Sequence, residues 1–204
     1  MAQSDVIAVF FTADDNAADN VSVSAAERPN TSFTIGGTDA SGGTATFSAG
    51  RIITCTTAGT GDNGKTVTIT GTDVNGDSQT EVITLPGSAT TTAGTKYFRT
   101  VTAAEASAQP AANVSIGMSS AAGDVIFAGR SRLQGAFIVN SATAGVINFT
   151  NASPAGTALM KLGTVASATV SRDITVPDDG VVFPDGVYIQ YTAATFTNMT
   201  AFHA

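Results

Sequence analysis

The feature that most constrains this chain is a two-residue alternation of threonine and apolar side chains, which runs with few breaks from Thr31 to Met118. In the segment Thr66–Thr70, for example, Val67 and Ile69 alternate with three threonines, as in a strand that buries one face. Turn residues interrupt the alternation roughly every eight to twelve positions. Because only 12% of the residues are charged, amphipathic helices are disfavoured. The pattern predicts an all-β protein.

Composition divides the chain into an N-terminal extended arm and two antiparallel β-sandwich or small-barrel domains. Residues 1–30 are acidic and polar apart from one apolar run, so they predict the arm. Residues 31–123 predict the first β domain. Residues 124–204 predict the second, because they contain at least six short apolar segments and few charges.

A hairpin is predicted at Asn75-Gly76, since both residues tolerate the positive φ angles of a two-residue turn. Asp73, Asn75 and Asp77 also have the opening spacing of a calcium loop, but the later glycine and bidentate glutamate of such a loop are missing. The turn is therefore favoured over a metal site.

Two further segments have sequence patterns whose local structure has to be decided from the neighbouring residues. Gly59, Gly61 and Gly64 match a dinucleotide-binding motif, yet a Thr/Val strand follows where that motif requires a helix, so a β-turn is predicted. The alanine-rich segment 103–112 predicts one helical turn that ends before Pro110.

The residues needed for catalysis are scarce. The only histidine, His203, is next to the last residue, so a catalytic triad or acid–base pair is not predicted. The only cysteine, Cys55, alternates with Ile53 and predicts a small core residue. We expect a non-enzymatic protein with no cofactor and no metal.

The charge and the hydropathy of the chain indicate which classes of partner it does not bind. A net charge of −7 lacks the basic footprint that nucleic acid requires. No apolar run approaches the roughly 20 residues of a membrane span, and the N-terminus lacks the pattern of a secretory signal. We expect a chain that folds in the cytoplasm and binds neither nucleic acid nor membrane.

Candidate interaction residues lie in two places. The arm carries the run Val6–Phe11, of which Val6, Val9, Phe10 and Phe11 are candidates for a contact with the chain's own sheet or with a neighbour. In the second domain, Tyr188 and Tyr191 have an odd spacing that places them on opposite faces of a strand, so one is expected to be exposed. Such a ring serves either ordinary packing or a sugar platform.

Several segments together resemble a β-domain found in virion structural proteins of tailed bacteriophages, especially marine ones. They are residues 67–84, 95–101 and 113–117 in the first domain, and 133–139, 156–160 and 176–189 in the second. The resemblance implies a structural role in the virion. Our favoured hypothesis is a capsid decoration or cement protein. It would bind the major capsid protein and copies of itself, and a homotrimer is one form that this self-association could take.

Two other virion roles fit the same resemblance. The chain would be a tail or head-fibre module that binds a host-surface glycan, or an adaptor of the neck or tail. A cement protein is present in hundreds of copies per particle, whereas fibres and adaptors occur in small multiples. Copy number therefore separates these hypotheses.

Overall fold

The computed structural model of the chain describes residues 6–13, 17–25, 32–119, 123–167, 170–192 and 195–204. All regular structure in these residues is strand, and the sheets are antiparallel, which confirms the predicted all-β class. The chain forms two compact units: residues 16–119, here the first unit, and residues 1–15 with 120–204, here the second unit.

The strands are, in chain order, β1 (Ile7–Thr12), β2 (Ser22–Ala25), β3 (Ala40–Ser41), β4 (Thr44–Thr57), β5 (Thr66–Thr72), β6 (Ser78–Thr84), β7 (Thr91–Ala106), β8 (Val114–Ser119), β9 (Asp124–Phe127), β10 (Ser131–Asn140), β11 (Gly145–Asn151), β12 (Ala158–Thr164), β13 (Ser171–Thr175), β14 (Val181–Phe183), β15 (Val187–Gln190) and β16 (Phe196–His203).

The first unit is built on the strand order β8-β4-β7-β5-β6, with β2 beside β8 and β3 beside β4. The long strand β7 pairs with β4 along its first part and with β5 along its last part. The buried Glu81 of β6 accepts hydrogen bonds from the backbone N–H groups of Thr95 and Lys96 in β7, at 2.6 and 3.2 Å. This carboxylate joins β6 to the first part of β7, so the sheet curls back towards itself.

The second unit contains two sheets. One has the order β1-β16-β10, with β13 and β14 both beside β10, and the other has the order β12-β11-β15-β9. The ring of Phe127 in β9 lies 4.9 Å from that of His203 in β16, so the inner faces of the two sheets meet. This is sandwich packing, and apolar side chains of both sheets fill the interior.

The two described strands within residues 1–30 belong to different units. Strand β1 pairs with β16 in the second unit, and β2 pairs with β8 in the first. The physical reason is burial, since Phe11 and Val21 both lie in the interior of their units. Of the acidic residues in the segment 1–30, Asp5, Asp14, Asp15 and Glu27 lie outside the described residues.

The helical turn predicted within residues 103–112 is wrong, because β7 continues to Ala106 in antiparallel register with β5. Val101, Ala104 and Ala106 are buried in the core of the first unit. Alanine has a high helix propensity, but pairing and burial outweigh it here.

Candidate functional site

Strand β1 lies at the edge of its sheet. Among the described residues its strand partner is β16, with Val9 opposite Ala201 and Thr12 opposite Asn198. The N–H of Ala13 donates to the carbonyl of Thr197 at 3.3 Å, and hydrogen-bonded pairs alternate along an antiparallel ladder. The N–H and C=O groups of Ala8 and Phe10 therefore point away from β16, towards the open edge.

Aromatic side chains cover the outer face of the same sheet. The register places Phe10, Thr200, Phe137 and Asp173 in one row across four strands. The adjacent row contains Ala8 and Phe202. Phe10 is 56% exposed and Phe137 is 38% exposed. We call the set Ala8, Phe10, Phe137 and Phe202 the aromatic face.

The run Val6–Phe11 was identified from the sequence, and the structure separates its members. Val6 and Phe10 are exposed, Val9 is half-buried and Phe11 is fully buried. The ring of Phe11 makes an edge contact with Phe196 at 5.8 Å. As a correction, Phe11 is a core residue and offers no surface to a partner.

The two tyrosines of the second unit do not form an open aromatic platform. Tyr191 is buried, and its hydroxyl donates to Asp124 Oδ2 at 2.6 Å. Tyr188 is half-buried, and burial together with the nearby Asp185 raises the pKa of its phenol. The candidate role of Tyr191 is therefore replaced by a packing role.

The turn around Asn75-Gly76 joins β5 and β6 as predicted, but it is longer than two residues. Thr72 pairs with Ser78, which leaves residues 73–77 as the loop. Gly76 has φ +87°, whereas Asn75 is not among the residues with positive φ. Asp73 Oδ1 accepts from the N–H groups of Asn75 and Asp77 at 2.8 and 3.0 Å. The Asp73 carboxylate thereby holds the loop in its turn conformation, and these hydrogen bonds account for the position of the carboxylate.

The glycine-rich segment 59–64 is a turn, as predicted, and it contains a buried carboxylate that sequence reasoning missed. Asp62 Oδ1 accepts from the N–H of Ala111 at 2.7 Å and from Lys65 Nζ at 2.9 Å, and Oδ2 accepts from the N–H of Ala112 at 3.1 Å. Burial alone would raise the pKa of Asp62, but these hydrogen bonds outweigh it and lower the pKa. The residue fastens two loops together.

His203 and Ser131 are hydrogen-bonded, with 3.1 Å between Nδ1 and Oγ. Ser131 Oγ also donates to the main-chain oxygen of Ala204 at 3.1 Å. Both side chains are buried, and burial lowers the pKa of His203. The pair therefore fixes the last residues to β10.

Cys55 is a core residue, as predicted. It is fully buried in the first unit, and burial, with a smaller contribution from Glu81, raises the pKa of its thiol to about 12. A thiol with this pKa remains protonated near neutral pH and is a poor nucleophile.

A shallow hollow of about 350 Å³ lies on the outer face of the first unit. It is lined by hydroxyl, amide and backbone groups and by no charged side chain: Thr70, Gly71, Thr72, Ser78, Gln79, Thr80 and Thr102.

Two kinds of candidate feature are absent from the described residues. No helix there is long and apolar enough to cross a membrane. No group of three or more His, Cys, Asp or Glu side chains there is arranged to hold a metal ion. Comparisons of the chain with protein-family models, with curated proteins and with solved structures each found no match.

Proposed function

We propose that this chain is a non-enzymatic structural component of a tailed-bacteriophage virion, and specifically a capsid decoration or cement protein. It would bind the major capsid protein, bridge neighbouring capsid subunits and so stabilise the DNA-filled head. The observation that carries the proposal is the aromatic face beside the open edge of β1.

An exposed apolar edge strand is unfavourable in a protein that remains alone in solution. Sheet edges are ordinarily protected by lysine, proline, a bulge or a covering loop, because their unpaired N–H and C=O groups can bind other chains. The β1 sequence IAVFFT contains no charge and no proline, and its register with β16 has no bulge. Phe10 is exposed on this strand. A contact that covers the edge would remove these groups from water.

The resemblance to phage virion proteins supports the same function. One of its two specific segments, the hairpin of residues 67–84, spans β5 and β6 with the loop between them, and the segment 95–101 lies within β7. Threonines line the outer side of β5. Threonine loses less rotamer entropy on contact than a long charged side chain, which suits a protein that covers a surface in many copies.

Bridging stabilises a shell through repetition. When one copy contacts two capsid subunits, the second contact is intramolecular and benefits from a high effective concentration. Separation of the subunits then requires both contacts to break. The mechanism needs surfaces and no reaction, which is consistent with the structural role proposed here.

The test compares phage particles produced with and without the chain. We expect hundreds of copies per particle, and particles that assemble without the chain but lose DNA at a lower temperature. The double substitution Phe10→Ser and Phe137→Ser should reproduce the loss. Val82→Ser, at an exposed position of β6, is the matched control and should have no effect. A few copies at one vertex would favour the adaptor, and unchanged heat resistance would contradict the cement function.

The hollow in the first unit favours a second candidate function, a fibre module that binds a host-surface glycan. Its hydroxyl and amide lining matches the hydrogen-bonding groups of a neutral sugar. Saturation-transfer NMR with neutral oligosaccharides tests this function, with Thr102→Val as the variant that should remove binding. Particles that lack the chain would then keep their heat resistance and fail to adsorb to cells.

A further inference from the structure

We propose that the open edge of β1 pairs with an extended segment of a partner protein whose centre is apolar and whose ends carry lysine or arginine. This inference rests on the proposed docking function and specifies the chemistry of the partner. In a virion the segment would belong to a capsid subunit and would add one strand to the β1-β16-β10 sheet.

The backbone supplies the first part of the argument. The register with β16 turns the N–H and C=O groups of Ala8 and Phe10 outwards. Residues two apart on one edge are spaced by roughly 6.6 to 6.8 Å, the repeat with which an added strand forms its hydrogen bonds. Strand addition of this kind binds through the main chain and selects partners through alternate side chains.

The side chains define the centre of the partner segment. On the outer face, an added strand would lie next to Phe10, which is exposed at the edge of the aromatic face. On the inner face it would lie next to Ile7, which is 51% exposed although it points to the core side. Both neighbours are apolar, so apolar residues on both faces of the added strand gain from contact.

Charge defines the ends of the partner and argues against a second copy of this chain. Strand β1 itself has no charged residue. In the sequence, Asp5 precedes β1, Asp14 follows it, and the whole chain carries −7. A second β1 would carry the same acidic residues beside it in the sequence, so pairing of two copies would bring like charges together. A segment with basic ends would meet charges of opposite sign.

The test measures binding of a fluorescent peptide to the full chain by anisotropy. The peptide has two lysines at each end and a centre of alternating valine and phenylalanine, and the matched peptide has glutamates in place of the lysines. We expect the lysine peptide to bind about tenfold or more tightly than the glutamate peptide, with a difference that shrinks in high salt. Equal binding of the two peptides would overturn the charge argument.

Ala8→Pro tests the edge itself. Because the N–H of Ala8 points away from β16, proline removes an outward donor without removing a hydrogen bond to β16. We expect at least about tenfold weaker peptide binding, whereas Ala8→Thr, which keeps the N–H, should weaken binding much less than the proline does. If Ala8→Pro does not fold, a lysine peptide with N-methylated central residues replaces it, since that peptide cannot donate to the edge. Undiminished binding of the methylated peptide would overturn strand addition.

Association with DNA-filled heads separates this inference from the proposed function. If the wild type binds heads and Ala8→Pro binds them equally well, the edge is not the docking site although the cement function stands. If the wild type binds the lysine peptide but not heads, the edge inference stands and the cement function fails. A dimer in sedimentation that Ala8→Pro abolishes would identify a second copy as the occupant and overturn the inference.

Discussion

Asp62 shows how one buried side chain can join segments that are far apart in sequence. Its carboxylate receives hydrogen bonds from Lys65 within its own loop and from the backbone of Ala111 and Ala112. Neither Ala111 nor Ala112 lies in a strand, so the carboxylate supplies their backbone N–H groups with the acceptors that a neighbouring strand would otherwise provide. The loop between β4 and β5 thereby holds the loop between β7 and β8.

We predict that Asp62→Asn lowers the unfolding free energy by about 1 to 3 kcal/mol, because an amide NH₂ would face a backbone N–H. The pKa of Asp62 is lowered in the folded state, so its contribution is complete above the ordinary aspartate pKa and disappears as the pH falls through the lower folded value. The difference between wild type and variant should therefore shrink in strong acid. Urea unfolding at several pH values measures it, and the exposed Asp77→Asn is the control.

At the scale of the element, strand β1 has one face that packs in the core and one face that is exposed. Phe11 is fully buried against Phe196, whereas its neighbour Phe10 is exposed. We predict that Phe11→Ala costs about 3 to 5 kcal/mol, the range for a buried phenylalanine. Phe10→Ala should change stability by less than about 0.5 kcal/mol. Thermal unfolding of the two variants makes the comparison, and equal costs would show that β1 is not docked as described.

Deleting the predicted arm should therefore damage the fold. Removal of residues 1–29 takes away Phe11 from the second unit and Val21 from the first, and both are fully buried. Strand β16 would also lose its pairing with β1. The cores of both units therefore need this segment.

The sequence predicted elements best where local chemistry decides them. The β5–β6 hairpin follows from the alternation in Thr66–Thr72 and from Gly76. The length of its loop did not follow, because Asp73 binds backbone groups of the loop and only the register shows this. The extents of β4 and β7 were also missed, since their pairing is irregular and depends on contacts distant in sequence.

The candidate site was predictable only in part. The run Val6–Phe11 is visible in the sequence as an isolated apolar segment. Phe137 and Phe202 are far from it along the chain, and each sits in a strand whose alternation also contains buried residues. Only the register of β1, β16 and β10 brings them onto one face. A pairing of this kind is a tertiary property that local patterns do not contain.

The hairpin loop provides a prediction at the same scale. Gly76 has φ +87°, a region in which a β-branched residue is strained. We predict that Gly76→Val lowers stability by about 1 to 3 kcal/mol. Gly76→Asn should cost less, since asparagine tolerates this region. Gly163→Val in β12, where an added Cβ meets no atom within 4 Å and φ is not left-handed, is the control. Equal stabilities of all three variants in thermal unfolding would contradict the positive φ angle assigned to Gly76.

At the scale of the whole molecule, two buried titratable groups, one in each unit, respond to different ranges of pH. Asp62 lies in the first unit and His203 in the second. Aspartate ordinarily titrates near pH 3.9 and histidine near pH 6.5, and both groups have a lowered pKa in the folded state. Mild acid therefore acts on the second unit, whereas strong acid acts on the first as well.

The last prediction follows from this separation. Above about pH 6.5, His203 is neutral in both the folded and the unfolded chain. As the pH falls below that value, His203 of the unfolded chain binds a proton, whereas burial keeps His203 of the folded second unit neutral. The unfolding free energy of the second unit therefore decreases until the pH reaches the lower pKa of the folded state. His203→Gln, whose amide can still form a hydrogen bond with Ser131, should remove this decrease. Fluorinated tyrosines report each unit by NMR during urea unfolding, because Tyr97 lies in the first unit and Tyr188 and Tyr191 lie in the second. Between about pH 7.5 and pH 5.5 the signals of the second unit should shift to lower urea in the wild type only. An equal shift in the variant would mean that groups other than His203 control the response to mild acid.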